Sequence, residues 1–450
     1  MMSAQGRRWP WSMVLGTLLL AGCSLDSLLG TEKLPQDVSD PGTIETPDGA
    51  GAAYRGALID FQTGFHSVVH WGGVLTDELE LRPTASPGRD EWVDRRYLPE
   101  GDASAEWYAG FTYASLQRAR NQARHAAELL KRYAPGSETL VAHMYTVQAY
   151  TEIFLADLFC SGIPLSTLDF EGDFTYRPGS TTIQVYEHAL ALLDTALTSV
   201  GDSAGIEHLT RVGRGRTLLA LGRFDEATDA VADVPDDFRY EISYLDSFLM
   251  AAAGDPRTPW EYTVGDREGI NGLDYVSSGD PRTRATLLGT DDLGRPVYHP
   301  AKYPRTKPLL VVLASGIEAR LIEAEAALRA GDVSGWLEKL NHLRRTAWTT
   351  ITPAVSGPLA DLEDPGSDAA RVDLLFRERA FWLYLTGQRQ GDLRRLLRHY
   401  GRRQEQIYPV GAYTASRVAG LSYGRFVDLP IPASERVSNP RFNGCLSRDG

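Results

Sequence analysis

The sequence predicts a mainly α-helical protein whose helices come in pairs and are separated by long, irregular loops. Apolar and small residues recur at helical spacing over most of the chain, whereas segments with the alternation of a strand are few. The helical pattern begins near residue 49 and continues in segments at about the following positions: 104–133, 138–158, 181–200, 211–221, 225–233, 313–330, 334–346, 368–386 and 391–399. The predicted fold class is therefore all-α.

Two pairs of these helices are joined by connectors short enough to form antiparallel hairpins. In residues 215–227, Gly222 interrupts the helical pattern and Asp225 is suited to cap the helix that follows. Residues 323–341 repeat this plan. Both hairpins resemble tetratricopeptide units. Because they do not recur at a fixed period of about 34 residues, the sequence does not predict a plain solenoid.

The first 22 residues are typical of a bacterial secretory signal that ends in a lipobox. Two basic residues, Arg7 and Arg8, precede an apolar run too short to span a bilayer, and the small pair Ala21-Gly22 stands directly before Cys23. In such lipoproteins the cysteine thiol carries a diacylglycerol, and the acylated cysteine becomes the first residue of the mature chain. An ordinary signal peptide followed by a chance cysteine is the alternative.

The mature chain is expected to divide into a tether and one domain. Residues 23–48 mix Pro, Gly, Asp and Thr with little helical period, and we interpret them as a tether between the lipid and the fold. Residues 49–450 are predicted to form a single helical domain. Loop-rich insertions are expected at about 62–103, 234–312 and 401–450. Loops of that length in a compact protein usually carry function.

The acidic composition argues against nucleic acid as a partner. The chain has 59 acidic against 46 basic residues, and its net charge of −13 repels phosphate backbones. No segment after the signal approaches the roughly 18 uninterrupted apolar residues that a membrane helix needs. The N-terminal lipid is therefore the expected membrane anchor.

Two cysteines remain if Cys23 is lipidated. Cys160 and Cys445 would both be exported to an oxidising compartment, where we expect them to form a disulfide. Two separate buried thiols are the alternative.

A series of short motifs runs in order along nearly the whole mature chain. The early motifs are the lipobox with Leu25-Asp26, Ala52-Ala53-Tyr54, Asp77-Glu78, residues 107–121, Ala149-Tyr150 and residues 162–165. The later motifs are Glu318, residues 321–326, residues 340–344, Glu378-Arg379, residues 387–389, residues 392–395, residues 429–435 and Asn439-Pro440. Their order and spacing resemble the SusD/RagB family of nutrient-binding outer-membrane lipoproteins.

This resemblance implies a helical scaffold of tetratricopeptide-like hairpins with the irregular segments folded over one side as a ligand face. It also implies a partner, a TonB-dependent (SusC-like) outer-membrane barrel over which the lipoprotein acts as a hinged lid. Cys160 and Cys445 are not part of the family pattern.

The charged residues of the later motifs have a structural interpretation. Glu378, Arg379, Arg389 and Asp392 lie close in sequence to large apolar residues, where an unpaired charge is costly. We therefore expect them to pair inside the scaffold. Gly387 is suited to the left-handed conformation that ends a helix.

The sequence offers little support for catalysis or for a cofactor. His66 and His70 could share a helix face as metal ligands, but no H-E-x-x-H arrangement or cysteine cluster accompanies them. Asp90 and Glu91 are adjacent, and cannot easily flank a bond with the separation of about 5–9 Å that glycosidases require. Phosphate-binding Gly-rich motifs are missing. We expect neither an enzyme nor a bound metal or cofactor.

Two loop clusters combine aromatic rings with polar side chains. The first cluster contains Asp90, Trp92 and Tyr97. The second cluster contains Trp260, Tyr262, Asn271 and Tyr275, with Asp274 and Tyr298 nearby. A sugar ring rests its C–H faces on Trp or Tyr, while its hydroxyls need directional polar partners. For each aromatic residue, packing within its own loop is the alternative.

The sequence therefore predicts a surface lipoprotein that captures an oligosaccharide, or a peptide, and delivers it unchanged to a TonB-dependent transporter. A tetratricopeptide scaffold that binds proteins in outer-membrane assembly is the first alternative. Such scaffolds bind through a helical surface, however, and not through long aromatic loops. A polysaccharide hydrolase is the second alternative, and would need a carboxylate pair that the sequence does not offer.

Overall fold

Helices carry most of the described chain, which confirms the predicted all-α fold class. The computed structural model describes residues 41–82, 91–99, 103–169, 173–244, 262–303, 308–347 and 357–448. Cys23, nearly all of the predicted tether, Asp90 and Trp260 lie outside these residues. Within the described ranges no helix combines the length and the apolar character that crossing a membrane requires.

The helices differ in length from single turns to about eight turns. They are α1 Pro41–Ile44, α2 Pro47–Leu75, α3 Glu91–Asp94, α4 Ala103–Tyr133, α5 Glu138–Leu158, α6 Thr182–Leu197, α7 Ala204–Ala220, α8 Phe224–Val231, α9 Gly316–Arg329, α10 Val333–Thr346, α11 Asp368–Trp382, α12 Arg389–Tyr400, α13 Gln404–Ile407 and α14 Ala433–Ser438. A 3₁₀ turn covers Pro281–Thr283.

Helix α2 begins at a capping signal and extends further than the sequence pattern indicated. The Thr46 hydroxyl accepts a hydrogen bond from the Gly49 N–H at 3.0 Å, while Pro47 fixes the first helical φ. The helix continues to Leu75 and therefore occupies the start of the first expected loop insertion. All residues of its last two turns are buried. This burial outweighs the low helix propensity of the two glycines there.

Consecutive helices from α4 to α10 pack side by side. The predicted break at Gly222 is confirmed, because its φ of 75° follows the end of α7. Asp225 does not cap α8, since Arg223 occupies the N-cap and Asp225 lies in the first turn, where its charge favours the helix dipole. The second hairpin turns at Gly331 with φ 79°. Asp332 then caps α10 by accepting a backbone N–H hydrogen bond at 2.9 Å.

The strands form small antiparallel pairs within the loop-rich segments. They are β1 Leu79–Leu81, β2 Ile163–Pro164, β3 Thr167–Leu168, β4 Phe174–Thr175, β5 Gly179–Ser180, β6 Arg239–Tyr244, β7 Tyr262–Val264, β8 Ala285–Thr290, β9 Pro296–Pro300 and β10 Leu309–Ser315. The pairs are β1 with β7, β2 with β5, β3 with β4, β6 with β10, and β8 with β9. The first of these places Leu81 opposite Tyr262, and so brings the first two expected insertions together.

Helix α12 connects several helices of the scaffold through buried contacts. It packs against α2, α5 and α7. From Nη1, Arg394 donates to the carbonyl oxygens of Ala156, Asp157 and Phe159 at 2.7, 3.1 and 2.9 Å. These carbonyls end α5, so the buried cation lies at the negative end of that helix dipole.

The charged residues of α11 and α12 are paired inside the scaffold, as expected. Arg379 donates two hydrogen bonds of 2.9 Å to Asp392. Arg395 donates to Glu325 at 3.0 and 2.7 Å. Between the two helices, Gly387 has the predicted left-handed conformation, with φ 77°.

A further buried ion pair joins α12 to the loops. Arg389 donates to the two carboxylate oxygens of Asp77 at 2.8 and 2.9 Å. The same carboxylate accepts from the Leu273 N–H at 3.0 Å and from the Tyr275 hydroxyl at 3.3 Å. The Asp77 side chain therefore positions the residues just before β1 and the segment after β7 relative to the scaffold.

The predicted disulfide joins Cys160 to Cys445, whose Cα atoms are 5.8 Å apart. It ties the end of α5 to the C-terminal segment, 285 residues later in the chain. Two separate thiols, the alternative interpretation, are therefore wrong. Closing a loop of this length stabilises a fold by about 2–5 kcal/mol.

We predict that Asp77→Asn lowers the free energy of unfolding by about 3–5 kcal/mol, because Arg389 then lies buried without a charged partner. Asp361→Asn is the matched control. Asp361 pairs with Arg345 at 2.8 Å and is 52% exposed, and such pairs contribute about 1 kcal/mol or less. Urea titration followed by circular dichroism measures both variants. Equal losses in the two variants would contradict the structural role of the buried pair.

Candidate functional site

Helix α3 and the turn that follows it carry two aromatic rings with an arginine beside them. The ring centroids of Trp92 and Tyr97 are 5.1 Å apart, and the Arg95 guanidinium lies 5.5 Å from the first ring and 5.0 Å from the second. Trp92 is partly buried, whereas Tyr97 is 46% exposed. We call Trp92, Arg95 and Tyr97 the aromatic turn.

The aromatic turn is held in a strained backbone conformation. The Tyr97 N–H donates to the Trp92 carbonyl at 2.8 Å, and Arg96 between them has φ 55°. A residue other than glycine in this region costs about 1–3 kcal/mol and persists only where its surroundings hold it. Arg96 is buried, donates to the Pro409 carbonyl at 2.6 Å and stacks on Tyr408 at 4.8 Å. Burial lowers the pKa of Arg96 to about 10.

The C-terminal loop packs directly onto this turn at Gly424. The Gly424 N–H donates to the Arg95 carbonyl at 2.5 Å. A Cβ added to Gly424 would lie 2.2 Å from the Arg96 carbonyl oxygen. The lack of a side chain therefore permits the two segments to touch.

A cavity of about 280 Å³ opens beside the aromatic turn. Its lining residues are Glu80, Arg82, Val264, Asp266, Arg267, Glu268, Gly269, Arg295, Pro296, Tyr298, Thr414 and Tyr423. These residues come from all three expected loop insertions. Tyr423 is the chain neighbour of Gly424, which places the cavity next to the turn. We call this cavity the charged pocket.

The arginines of the charged pocket are balanced by neighbouring carboxylates. Arg82 donates to Glu80 at 3.0 Å, and Arg295 lies 3.3 Å from the same carboxylate. Asp291 also accepts from Arg295, at 2.9 Å. Arg267 lies 3.9 Å from Asp274; its side chain is 70% exposed and its backbone has φ 55°.

Two buried carboxyl groups lie between the pocket and the turn. Glu268 accepts from the Tyr423 hydroxyl at 3.0 Å, and Asp94 accepts from the Tyr413 hydroxyl. The second oxygen of each has no hydrogen-bond partner within the described ranges. Burial, and then the charge of a neighbouring carboxyl group, raises the pKa of Glu268 and of Asp94 well above the usual range. Each group is therefore protonated more readily than an exposed carboxyl group is.

The first predicted cluster keeps its aromatic members at the surface. Trp92 and Tyr97 come together in the aromatic turn, while Asp90 lies outside the described residues. Their neighbour Arg95 was not among the predicted site residues. The signal that could have identified it is its position between the two rings in the sequence.

The described members of the second predicted cluster are engaged in internal contacts. Tyr262 is 6% exposed and packs edge-on against His70 at 4.4 Å. Tyr275 is 1% exposed and packs against Tyr384, with ring centroids 5.0 Å apart. The Asn271 amide donates to two backbone carbonyls of the 401–450 segment, at 2.5 and 2.9 Å. These three side chains therefore stabilise contacts of the loops with other parts of the protein. Trp260, the remaining member of the cluster, lies outside the described residues.

Tyr298, expected near the second cluster, lines the charged pocket, whereas Asp274 pairs with Arg377 at 2.7 Å. The pocket residues Arg267, Glu268 and Tyr423 were not predicted. They come from distant parts of the sequence, and only the folded chain brings them to one cavity.

The two histidines considered as metal ligands lie on α2. His70 is buried between Trp71 and Tyr262, at 4.3 and 4.4 Å between ring centroids. Burial lowers the pKa of His70 well below its usual value, and His66 adds to this effect. Across the residues that the structure describes, no group of three or more His, Cys, Asp or Glu side chains is arranged to hold a metal ion.

The fold is similar to that of solved SusD-superfamily proteins. A SusD superfamily protein from Bacteroides vulgatus shares 17% identity at a TM-score of 0.63, over 90% of this chain and 100% of that chain. A SusD-like carbohydrate binding protein from the same species shares 12% identity at a TM-score of 0.61, over 88% of this chain and 97% of that chain. NanU from B. fragilis shares 14% identity at a TM-score of 0.60, over 93% of this chain and 100% of that chain.

This similarity lies in the fold. No protein-family model matches the sequence, and no curated protein matches it either. The resemblance read from the sequence motifs is therefore confirmed at the level of structure: the chain has the SusD-superfamily fold.

Proposed function

We propose that this protein is a lipid-anchored, surface-exposed outer-membrane protein that captures an oligosaccharide and delivers it to a TonB-dependent (SusC-like) transporter. The observation that carries the proposal is the aromatic turn, which presents two rings in a loop of a SusD-type fold. We further propose that the ligand is released unchanged.

The aromatic turn suits a sugar ring. The partly exposed ring of Tyr97, tilted by 48° from that of Trp92, offers an apolar face for sugar C–H groups. The charged pocket next to it offers directional partners for hydroxyl groups, among them Tyr298 and the exposed guanidinium of Arg267. In an oligosaccharide that contacts both the aromatic turn and the charged pocket, one sugar unit would stack on a ring and the next would form hydrogen bonds in the pocket.

The proposed route of delivery rests on the sequence. The lipid on Cys23 would hold the protein on the membrane, and the tether up to residue 48 would let the domain move over a transporter. A peptide is the alternative ligand. A tetratricopeptide scaffold is the alternative function, but the exposed ring of Tyr97 lies in a loop and not on the helical hairpins.

We predict that Trp92→Ala and Tyr97→Ala each weaken oligosaccharide binding by about tenfold or more, because each removes a stacking surface. Phe174→Ala is the matched control, since Phe174 is a 57% exposed ring on the β3–β4 hairpin. A glycan array identifies a bound sugar, and calorimetry then measures the affinity of each variant. Wild-type affinity in both turn variants would place the site elsewhere.

We predict that Cys23→Ser abolishes incorporation of labelled palmitate and moves the protein from the membrane fraction to the soluble fraction, since no acyl chain then holds it. Cys445→Ser is the control, because it removes the disulfide and leaves the lipobox intact. Membrane association that persists in Cys23→Ser would contradict lipid anchoring.

A further inference from the structure

We propose that the aromatic turn selects an acidic sugar, whose carboxylate pairs with the guanidinium of Arg95. This inference rests on the proposed function and adds the chemical class of the sugar.

Among the described residues, Arg95 lacks the partners that the neighbouring arginines have. Its Nε is buried without a hydrogen-bond acceptor, and none of the described side chains or carbonyls accepts from its terminal nitrogens. Arg96, the next residue, donates to backbone carbonyls, and Arg82 pairs with Glu80. The adjacent carboxyl of Asp94 is buried and already accepts from Tyr413. A ligand can therefore supply an acceptor for the terminal nitrogens of Arg95.

The two rings hold the Arg95 guanidinium ready for a planar anion. Contacts of 5.5 and 5.0 Å to the two ring centroids restrict the side chain, and the pair is attractive through the cation–π interaction. A guanidinium donates two parallel N–H bonds to a carboxylate, and its planar fork matches that group. In an acidic sugar the carboxylate is attached to the ring, so stacking and ion pairing can occur on the same unit.

A second arginine adds to the positive charge on this surface. Arg425 is exposed, directly follows Gly424 and lies over the ring of Phe426 at 5.7 Å. None of the carboxylates in the described segments forms an ion pair with Arg425. A neutral sugar would use neither cation.

Arg329 provides a matched control for Arg95. Its guanidinium also lies between two rings, 5.0 Å from Phe224 and 5.1 Å from Tyr400. In contrast to Arg95, it donates to a carbonyl of this chain, that of His399, at 3.2 Å. Substitution at either site removes a cation that contacts two rings, but only substitution of Arg95 is expected to affect binding of an acidic ligand.

The test is calorimetry on the full chain with paired oligosaccharides that differ in the carboxylate: glucuronoxylan and xylan fragments, galacturonan and carboxyl-reduced galacturonan, sialyllactose and lactose. We expect the wild-type protein to bind the acidic member of a pair about tenfold or more tightly than the neutral member. Arg95→Gln should reduce the acidic affinity to the neutral one, and Arg329→Gln should leave both unchanged. Thermal melting confirms that Arg95→Gln is folded.

Equal wild-type affinity for both members of every bound pair, with binding still lost in Trp92→Ala, would overturn the acidic-sugar inference and leave the proposed function intact. A preference for a sulfated form over the carboxylated form, lost in Arg95→Gln, would overturn it in favour of a sulfate ester. If no oligosaccharide binds to the wild-type protein, the proposed function and the inference fail together.

Discussion

The buried ion pair between Asp77 and Arg389 is the constraint on which the rest of the structure depends. It joins α12, which holds the helical array from inside, to the start of β1, from which the loops of the site depart. The same carboxylate positions Leu273 and Tyr275 after β7. In a low-dielectric interior such a pair is stable only when its geometry is complete. The loops therefore have one defined position over the scaffold.

The C-terminal segment supplies the second support of the site. The disulfide between Cys160 and Cys445 fixes its end to α5, and Gly424 and Pro409 fix its earlier part to the aromatic turn. These contacts stabilise Arg96 in its positive-φ conformation. A binding surface that is ordered before the ligand arrives loses less conformational entropy on binding, and this favours affinity from a small contact area.

The sequence specified the scaffold better than it specified the site. Helical spacing, the break at Gly222 and the pairing of Cys160 with Cys445 follow from local pattern and from the expected compartment. By contrast, Tyr262 and Tyr275 are aromatic loop residues with no local sign of burial. Tyr262 is buried because β7 pairs with β1, nearly 200 residues away in the chain, and Tyr275 because it packs against Tyr384. Local composition cannot reveal such long-range contacts. The charged pocket could not be predicted either, because its lining residues are far apart in the sequence.

The most direct test of a ligand site in the loops is hydrogen–deuterium exchange, measured for each peptide with and without a bound oligosaccharide. The account predicts slower exchange in residues 91–99 and 420–428, which contain the aromatic turn and the loop that supports it. It predicts no change in the α7–α8 hairpin, residues 204–231. Protection confined to the helical hairpins, with residues 91–99 unchanged, would contradict a ligand site in the loops.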